Sequence, residues 1–174
     1  EAHSIRYAVP NKNQCKECHS SAGAVVPIGP IAANMDIAPA RVAAFRKRID
    51  WAAAPIAANG PIWNDASTGS LDQRARAYLM VNCAHCHNPT GSASNSGLFL
   101  NYGAAADRTA TGLYKRPVAA GRGSGGREFA IAPGQPDQSI MIHRMGSTEP
   151  GVAMPEVGRS MVHEEGVALI REWI

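Results

Sequence analysis

The sequence predicts a mainly α-helical protein of two lobes, a smaller one over residues 1–60 and a larger one over residues 61–174, with long irregular loops. Helical patterns with recognisable capping residues recur along the chain, separated by stretches rich in Pro and Gly. A short Cys and His motif occurs once in each lobe. Hydrophobic residues make up 45% of the 174 residues, but aromatic residues only 6%. Side chains alone therefore give a thin core, and a bulky buried ligand is expected to complete it.

Charge and hydropathy argue against two classes of partner. The formal net charge is +3, a mild preference for acidic partners, but Lys and Arg are scattered, so nucleic acid is not expected. No apolar run approaches the roughly 20 residues of a membrane-spanning helix, so no transmembrane segment is predicted. The chain opens Glu1-Ala2-His3 without the basic and apolar lead of a secretory signal. We therefore expect either a cytoplasmic protein or the mature form of a secreted one.

All four cysteines belong to two copies of the pattern C-x-x-C-H. The copies are Cys15-Lys16-Glu17-Cys18-His19 and Cys83-Ala84-His85-Cys86-His87. Cysteines three positions apart share one face of a helix, so both sulfurs of a motif are able to form thioethers with one porphyrin. The histidine that follows supplies the proximal iron ligand. The pattern thus predicts two covalently bound haems c, with His19 and His87 on the iron.

The four cysteines have three other possible uses. A structural zinc site with four Cys ligands usually places its C-x-x-C pairs closer together than the 68 residues between Cys15 and Cys83, and it needs no trailing His. A thioredoxin-like pair requires a βαβ context, and two disulfides require neither histidine. Haem is favoured, with zinc the main alternative. Covalent haem attachment takes place outside the bacterial cytoplasm, so the chain is expected to be periplasmic or extracellular, with its signal already removed.

In the first lobe, one short helix carries the motif. Asn11 is a plausible N-cap for it. Pro39 at a first helical position predicts a second helix over residues 39–51. Residues 54–69 are rich in Pro, Gly, Asn and Ser, which is typical of a linker.

The second lobe begins with a capping box. Ser70 with Gln73 three positions later predicts a helix that leads directly into Cys83. Residues 98–100 are a candidate short strand, and residues 103–127 form a long Gly-rich connection. In that connection Arg122 and Arg127 are candidates to pair with haem propionates.

Two further helices are predicted towards the end of the chain. Pro136 and Asp137 are expected to open a short helix that ends near Met145. Ser160 is expected to cap the last helix, whose apolar stripe reaches Ile174.

The second lobe resembles a class I cytochrome c. Residues 71–84 are similar to the helix that ends in C-x-x-C-H in that family, and residues 163–174 to the final helix that crosses it. Between them lie a Pro-Gly-x-Pro-x-x-Ser segment at 133–139 and the pair Met154-Pro155. The resemblance implies that Met154 is the sixth ligand of the second haem. Residues 10–15, 74–88, 121–129 and 163–174 also resemble corresponding segments of a family of secreted dihaem c-type proteins, so the resemblance runs from residue 10 to the end of the chain.

The first lobe matches the cytochrome c pattern only in part. Pro30 stands eleven residues after His19, where cytochromes c keep a proline whose carbonyl accepts a hydrogen bond from the proximal histidine. Residues 36–79 contain neither Met nor His, so the usual distal position is empty. The sequence predicts a reduced first lobe.

The sequence therefore offers different candidates for the distal ligand of each haem. For the second haem, Met154 is preferred over Met141 and Met145, which have core spacing, and over Met161 and His143. For the first haem, Met35 and His3 are tentative ligands of similar weight. Met80, His85 or an open site are the other possibilities, and His85 is expected to face solvent.

The leading functional hypothesis is electron transfer rather than catalysis. The expected partners are other redox proteins or terminal acceptors. Three rivals remain at this point: a small dihaem peroxidase-like enzyme, a subunit that self-associates haem-to-haem through His3 into an extracellular conductive filament, and a detached electron-donor module of a larger oxidoreductase.

Overall fold

A computed structural model describes residues 4–29, 60–103, 107–118 and 120–174. The predicted helix at 39–51 and the candidate residues His3, Pro30 and Met35 lie outside these ranges. Helix α1 spans Lys12–Cys18, and a two-strand antiparallel hairpin follows, with β1 at Ser20–Ser21 and β2 at Ala24–Val25. The remaining helices are α2 (Leu71–Asn82), α3 (Ile140–Met145) and α4 (Glu164–Trp173). Short 3-10 turns lie at Ser94–Ser96, Gly121–Ser124 and Pro136–Gln138.

Two predicted helix starts are confirmed with their capping boxes. The Asn11 side chain accepts from the backbone of Asn13 and Gln14, and Gln14 returns a bond to the Asn11 amide. Ser70 and Gln73 make the same reciprocal pair at the start of α2. These bonds satisfy amides that have no partner within the helix, so each cap sets where its motif helix begins.

The core forms where α2 packs on α4. Its buried side chains come from these two helices, from α3 and from the loops between them: Ala75, Tyr78, Leu79, Ala84, Leu100, Ile131, Met141, Ile142, Met145, Leu169 and Ile170. Gly166 lies at the contact between the two long helices. An added Cβ at this position would clash with the Tyr78 hydroxyl. The second motif directly follows α2 and is therefore anchored to this core, whereas α1 buries none of its own residues.

Three local predictions are wrong. Ser160 does not cap the last helix: its hydroxyl donates to the carbonyl of Arg6 at 3.2 Å, and α4 begins at Glu164 after His163. Residues 98–100 form no strand, because their amides donate to the Ser96 hydroxyl and to the carbonyls of Ala110 and His87 rather than to one partner segment. The predicted helix at 136–145 is interrupted at Ser139, whose extended backbone separates a 3-10 turn from α3.

Among the described residues, the longest helix has 12 residues, and none is long and apolar enough to cross a membrane.

Candidate functional site

The first motif occupies the end of α1 and the hairpin behind it. His19 is the C-cap of the helix, and its amide donates to the carbonyl of Cys15 at 2.9 Å. Ala22 and Gly23 turn the chain with positive φ angles of 49° and 80°, which returns Val26 to His19. The Nδ1 atom of His19 lies 3.1 Å from the Val26 carbonyl oxygen, and the Val26 amide donates to the His19 carbonyl at 2.9 Å.

The second motif is held in a similar way at the end of α2. Cys83 is the C-cap of α2, and the His87 amide donates to its carbonyl at 2.9 Å. The Nδ1 atom of His87 lies 3.3 Å from the Leu98 carbonyl oxygen, eleven residues downstream. The amide of Leu100 donates to the His87 carbonyl at 2.8 Å. These bonds fix both the position and the ring orientation of His87.

The two motif histidines share the arrangement that an iron ligand needs. In each ring Nδ1 faces a backbone carbonyl, so Nδ1 carries the proton and donates it. The Nε2 atoms of His19 and His87 make no hydrogen bond to any residue that the structure describes. A carbonyl bond on one ring nitrogen fixes the tautomer and raises the basicity of the other, which is the usual support for a metal-bound histidine. The residues therefore fit the proximal role that haem attachment requires.

Burial keeps His87 neutral. It lowers the pKa of the imidazole below its usual value, with the bond to Leu98 opposing and the charge of Arg144 adding to the effect. Only a neutral imidazole donates a lone pair to a metal. His87 is thus ready to coordinate at neutral pH.

The sulfurs of the two motifs approach each other. Cys18, Cys86 and His85 place one ligand atom each within 4.8 Å of one another. His85 is half-buried against this group, so the expectation that it faces solvent is wrong. Burial and the neighbouring Cys86 raise the pKa of Cys18 to about 11. Burial also raises the pKa of Cys86. Its hydrogen bonds, above all the one with His85, lower the pKa by more, so the net shift is downward.

Met154 lies on a loop that Arg144 organises from α3. The Met154 amide donates to the Arg144 carbonyl at 3.0 Å, and Arg144 Nε donates to the Val152 carbonyl at 2.9 Å. The Arg144 guanidinium also pairs with Glu156 at 3.3 Å. The charge of Arg144 lowers the pKa of the His87 imidazole and that of Glu156 raises it, so both residues lie near the second motif. Met154 itself is half-buried.

The competing ligands occupy ordinary structural positions. Met141 and Met145 are buried in the core, as their spacing predicts, and Met80 packs against it. Met161 is 44% exposed at the surface before α4.

The two arginines predicted for propionates already have protein partners. Arg122 pairs with Glu149 at 2.9 Å. Arg127 donates to the carbonyls of Asp137 at 2.7 Å and Gly125 at 3.2 Å. Each arginine holds loops of the second lobe together, and the propionate role stays a prediction.

Sequence reasoning missed the two carbonyl acceptors and Arg144. Backbone carbonyls carry no sequence signal of their own, although the spacing of eleven that was noticed for Pro30 does recur between His87 and Leu98. Arg144 gave no signal, because its partners lie on a loop whose path depends on tertiary packing. No family model matches the chain, and neither a curated protein nor a solved structure is significantly similar to it.

Proposed function

We propose that the chain is a dihaem c-type cytochrome that transfers electrons outside the cytoplasm, in the periplasm or the extracellular space. The observation that carries this proposal is the shared setting of His19 and His87, each donating Nδ1–H to a carbonyl and leaving Nε2 without a hydrogen-bond partner among the residues that the structure describes. Zinc knuckles and disulfides explain neither histidine, whereas a proximal iron ligand requires both features.

Each part of the chain has a defined task in this proposal. The thiols of Cys15, Cys18, Cys83 and Cys86 hold the two porphyrins as thioethers. His19 and His87 would each supply one ligand to an iron, and Met154, on the Arg144-anchored loop, would supply the other ligand of the second iron. Bound haem supplies a one-electron Fe(III)/Fe(II) couple. A Met and His ligand pair raises its reduction potential compared with two histidines.

The mass of the denatured protein tests this proposal. The chain is produced with export and a c-type haem attachment system, and it is expected to exceed the apoprotein mass by two haems that survive denaturation. Replacing Cys15 and Cys18 together with Ala is expected to leave one haem. Met161→Ala, which alters an exposed methionine, is expected to retain two. A mass equal to the apoprotein, or to the apoprotein plus zinc, contradicts the proposal.

A second candidate function is metal binding by the group of Cys18, His85 and Cys86. Two thiols and one imidazole within 4.8 Å form a ligand set that suits a thiophilic ion such as Zn²⁺. Haem attachment consumes both sulfurs, so the two functions exclude each other in one molecule. Zinc held by these three residues is expected to be lost on Cys18→Ser and kept on Cys15→Ser. Loss of zinc from both variants indicates a site with four cysteines.

A further inference from the structure

The two motifs, 68 residues apart in sequence, make direct contact in the fold. We call this contact the motif seam and define it as residues 17–22 against residues 86–92. At its centre the Cys86 thiol donates to the Glu17 carbonyl at 3.2 Å, and the Ser92 hydroxyl donates to the same oxygen. Cys18 lies beside them, within the 4.8 Å group that also includes Cys86. One attachment sulfur of each motif is therefore a neighbour of the other.

The seam continues as backbone pairing. Ser21 and Gly91 form an antiparallel bridge, and the Ala22 amide donates to the Thr90 carbonyl at 2.9 Å. The hydroxyls of Ser21 and Thr90 are 3.0 Å apart. Gly91 is required at this position, because an added Cβ would clash with the carbonyl of Cys86. The seam thus has a fixed register and no room for a shift.

Asn88 ties the seam to the core. Its side chain donates to the Ala84 carbonyl at 2.8 Å, and its Oδ1 accepts from the Thr90 amide at 2.9 Å. α1 buries none of its own residues, so within the described ranges the backbone pairing and the hydroxyl contacts of the seam hold the first motif to the second. The Cys86 thiol contact is lost once that sulfur becomes a thioether. Loosening the seam is therefore expected to move the first motif while the core of α2 and α4 stays folded.

We propose that the motif seam couples the two haems, so that the redox state of one alters the potential and the spectrum of the other. This inference rests on the proposed function. Thioethers to Cys18 and Cys86 start from neighbouring sulfurs, so the porphyrin edges that they hold are also neighbours. Unit charges this close to each other interact appreciably even at the intermediate dielectric constant of a protein surface. An electron placed on one haem therefore shifts the reduction potential of the other, and the distance over which it can transfer between them is short.

The test compares a seam variant with a matched control on the same loop. Thr90→Val with Ser92→Ala removes two hydroxyls of the seam, whereas Ser94→Ala removes a hydroxyl that bonds to no described residue. All three proteins are produced with both haems attached, and the haem number is checked by mass. Circular dichroism in the Soret band, electron paramagnetic resonance and potentiometric titration then report the coupling.

The wild type and Ser94→Ala are expected to give a two-signed Soret signal and two separated reduction steps. The double variant is expected to lose about half of that amplitude or more, at unchanged helix content. A wild type with both haems and no coupling signal overturns the inference and leaves the proposed function intact. An unchanged signal in the double variant overturns it too. Loss of a haem from the double variant also overturns the inference, because the seam would then be needed for haem attachment and not for coupling between the haems.

Discussion

Tyr78 lies directly over Gly166, at the point where α2 packs on α4. Burial raises the pKa of Tyr78 to about 12, and its hydroxyl forms a hydrogen bond with Nδ1 of His163 at 3.0 Å. Trp63 completes the group, with its ring centroid 5.6 Å from that of Tyr78 and 5.0 Å from that of His163. The closeness of the two helices thus depends on a glycine facing a tyrosine.

Gly166→Ala is expected to destabilise the protein by about 1–3 kcal/mol. The added Cβ would lie 2.6 Å from His163 Nδ1 and would also clash with the Tyr78 hydroxyl. The gain in helix propensity from Ala is smaller than this strain. Urea denaturation measures the free energy of unfolding. Glu172→Ala, on the exposed side of the same helix, is the control and is expected to change it little. Equal stability of both variants would contradict tight packing at Gly166.

Asp72 links the start of α2 to the end of α4 through an acid-sensitive contact. Its carboxylate accepts from Trp173 Nε1 at 2.9 Å and from Arg76 Nε at 2.9 and 3.0 Å. Burial raises the pKa of Asp72, but these donors outweigh burial and hold the pKa below its usual value. The stabilisation is therefore present above the ordinary carboxyl pKa and is lost as the pH falls through the lowered one.

Asp72→Asn is expected to lower the free energy of unfolding by about 0.5–1 kcal/mol at neutral pH, a modest amount because the pair is partly exposed. The difference from wild type is expected to shrink as the pH falls through the lowered pKa of Asp72, because both side chains are neutral below it. Urea midpoints measured across this range check the trend, with Glu172→Gln as the control. A difference that is constant with pH would show that charge has no part in the contact.

The starts of the two helices that carry the motifs could be predicted from local sequence, because the capping bonds of Asn11 and Ser70 are made with residues only three positions away. The start of α4 was misplaced, since Ser160 is drawn to the Arg6 carbonyl by a contact across 154 residues. At the site, spacing alone predicted which Cys and His belong together. Cys18 lies near Cys86, and Arg144 bonds to the loop of Met154, only because of tertiary packing. No local sequence pattern predicts either contact.

Met154→Ala is expected to remove the sulfur-to-iron absorption band of the oxidised protein and to lower the potential of one haem. In the proposed dihaem cytochrome, this variant removes the thioether ligand of the second iron and leaves the ligands of the first haem in place. Absorption spectra and a potentiometric titration measure both effects. Met161→Ala, at a methionine that is 44% exposed, is the matched control and is expected to leave the spectrum unchanged. If Met154→Ala preserves the band, another residue binds the second iron.

Arg144→Ala is expected to weaken the bond between Met154 and the second iron although Met154 itself is unchanged. The variant removes the donor to the Val152 carbonyl at 2.9 Å and the ion pair with Glu156, so the loop loses the contacts that fix its course. We expect a loss of about 1–2 kcal/mol in the free energy of unfolding. The sulfur-to-iron band should become weaker, with a high-spin component that grows on warming as Met154 dissociates. Arg108→Ala, at an exposed arginine whose side chain bonds to no described residue, is the control and should change neither quantity. A variant that loses stability but retains the full band at all temperatures would mean that Arg144 supports the fold and has no part in presenting Met154.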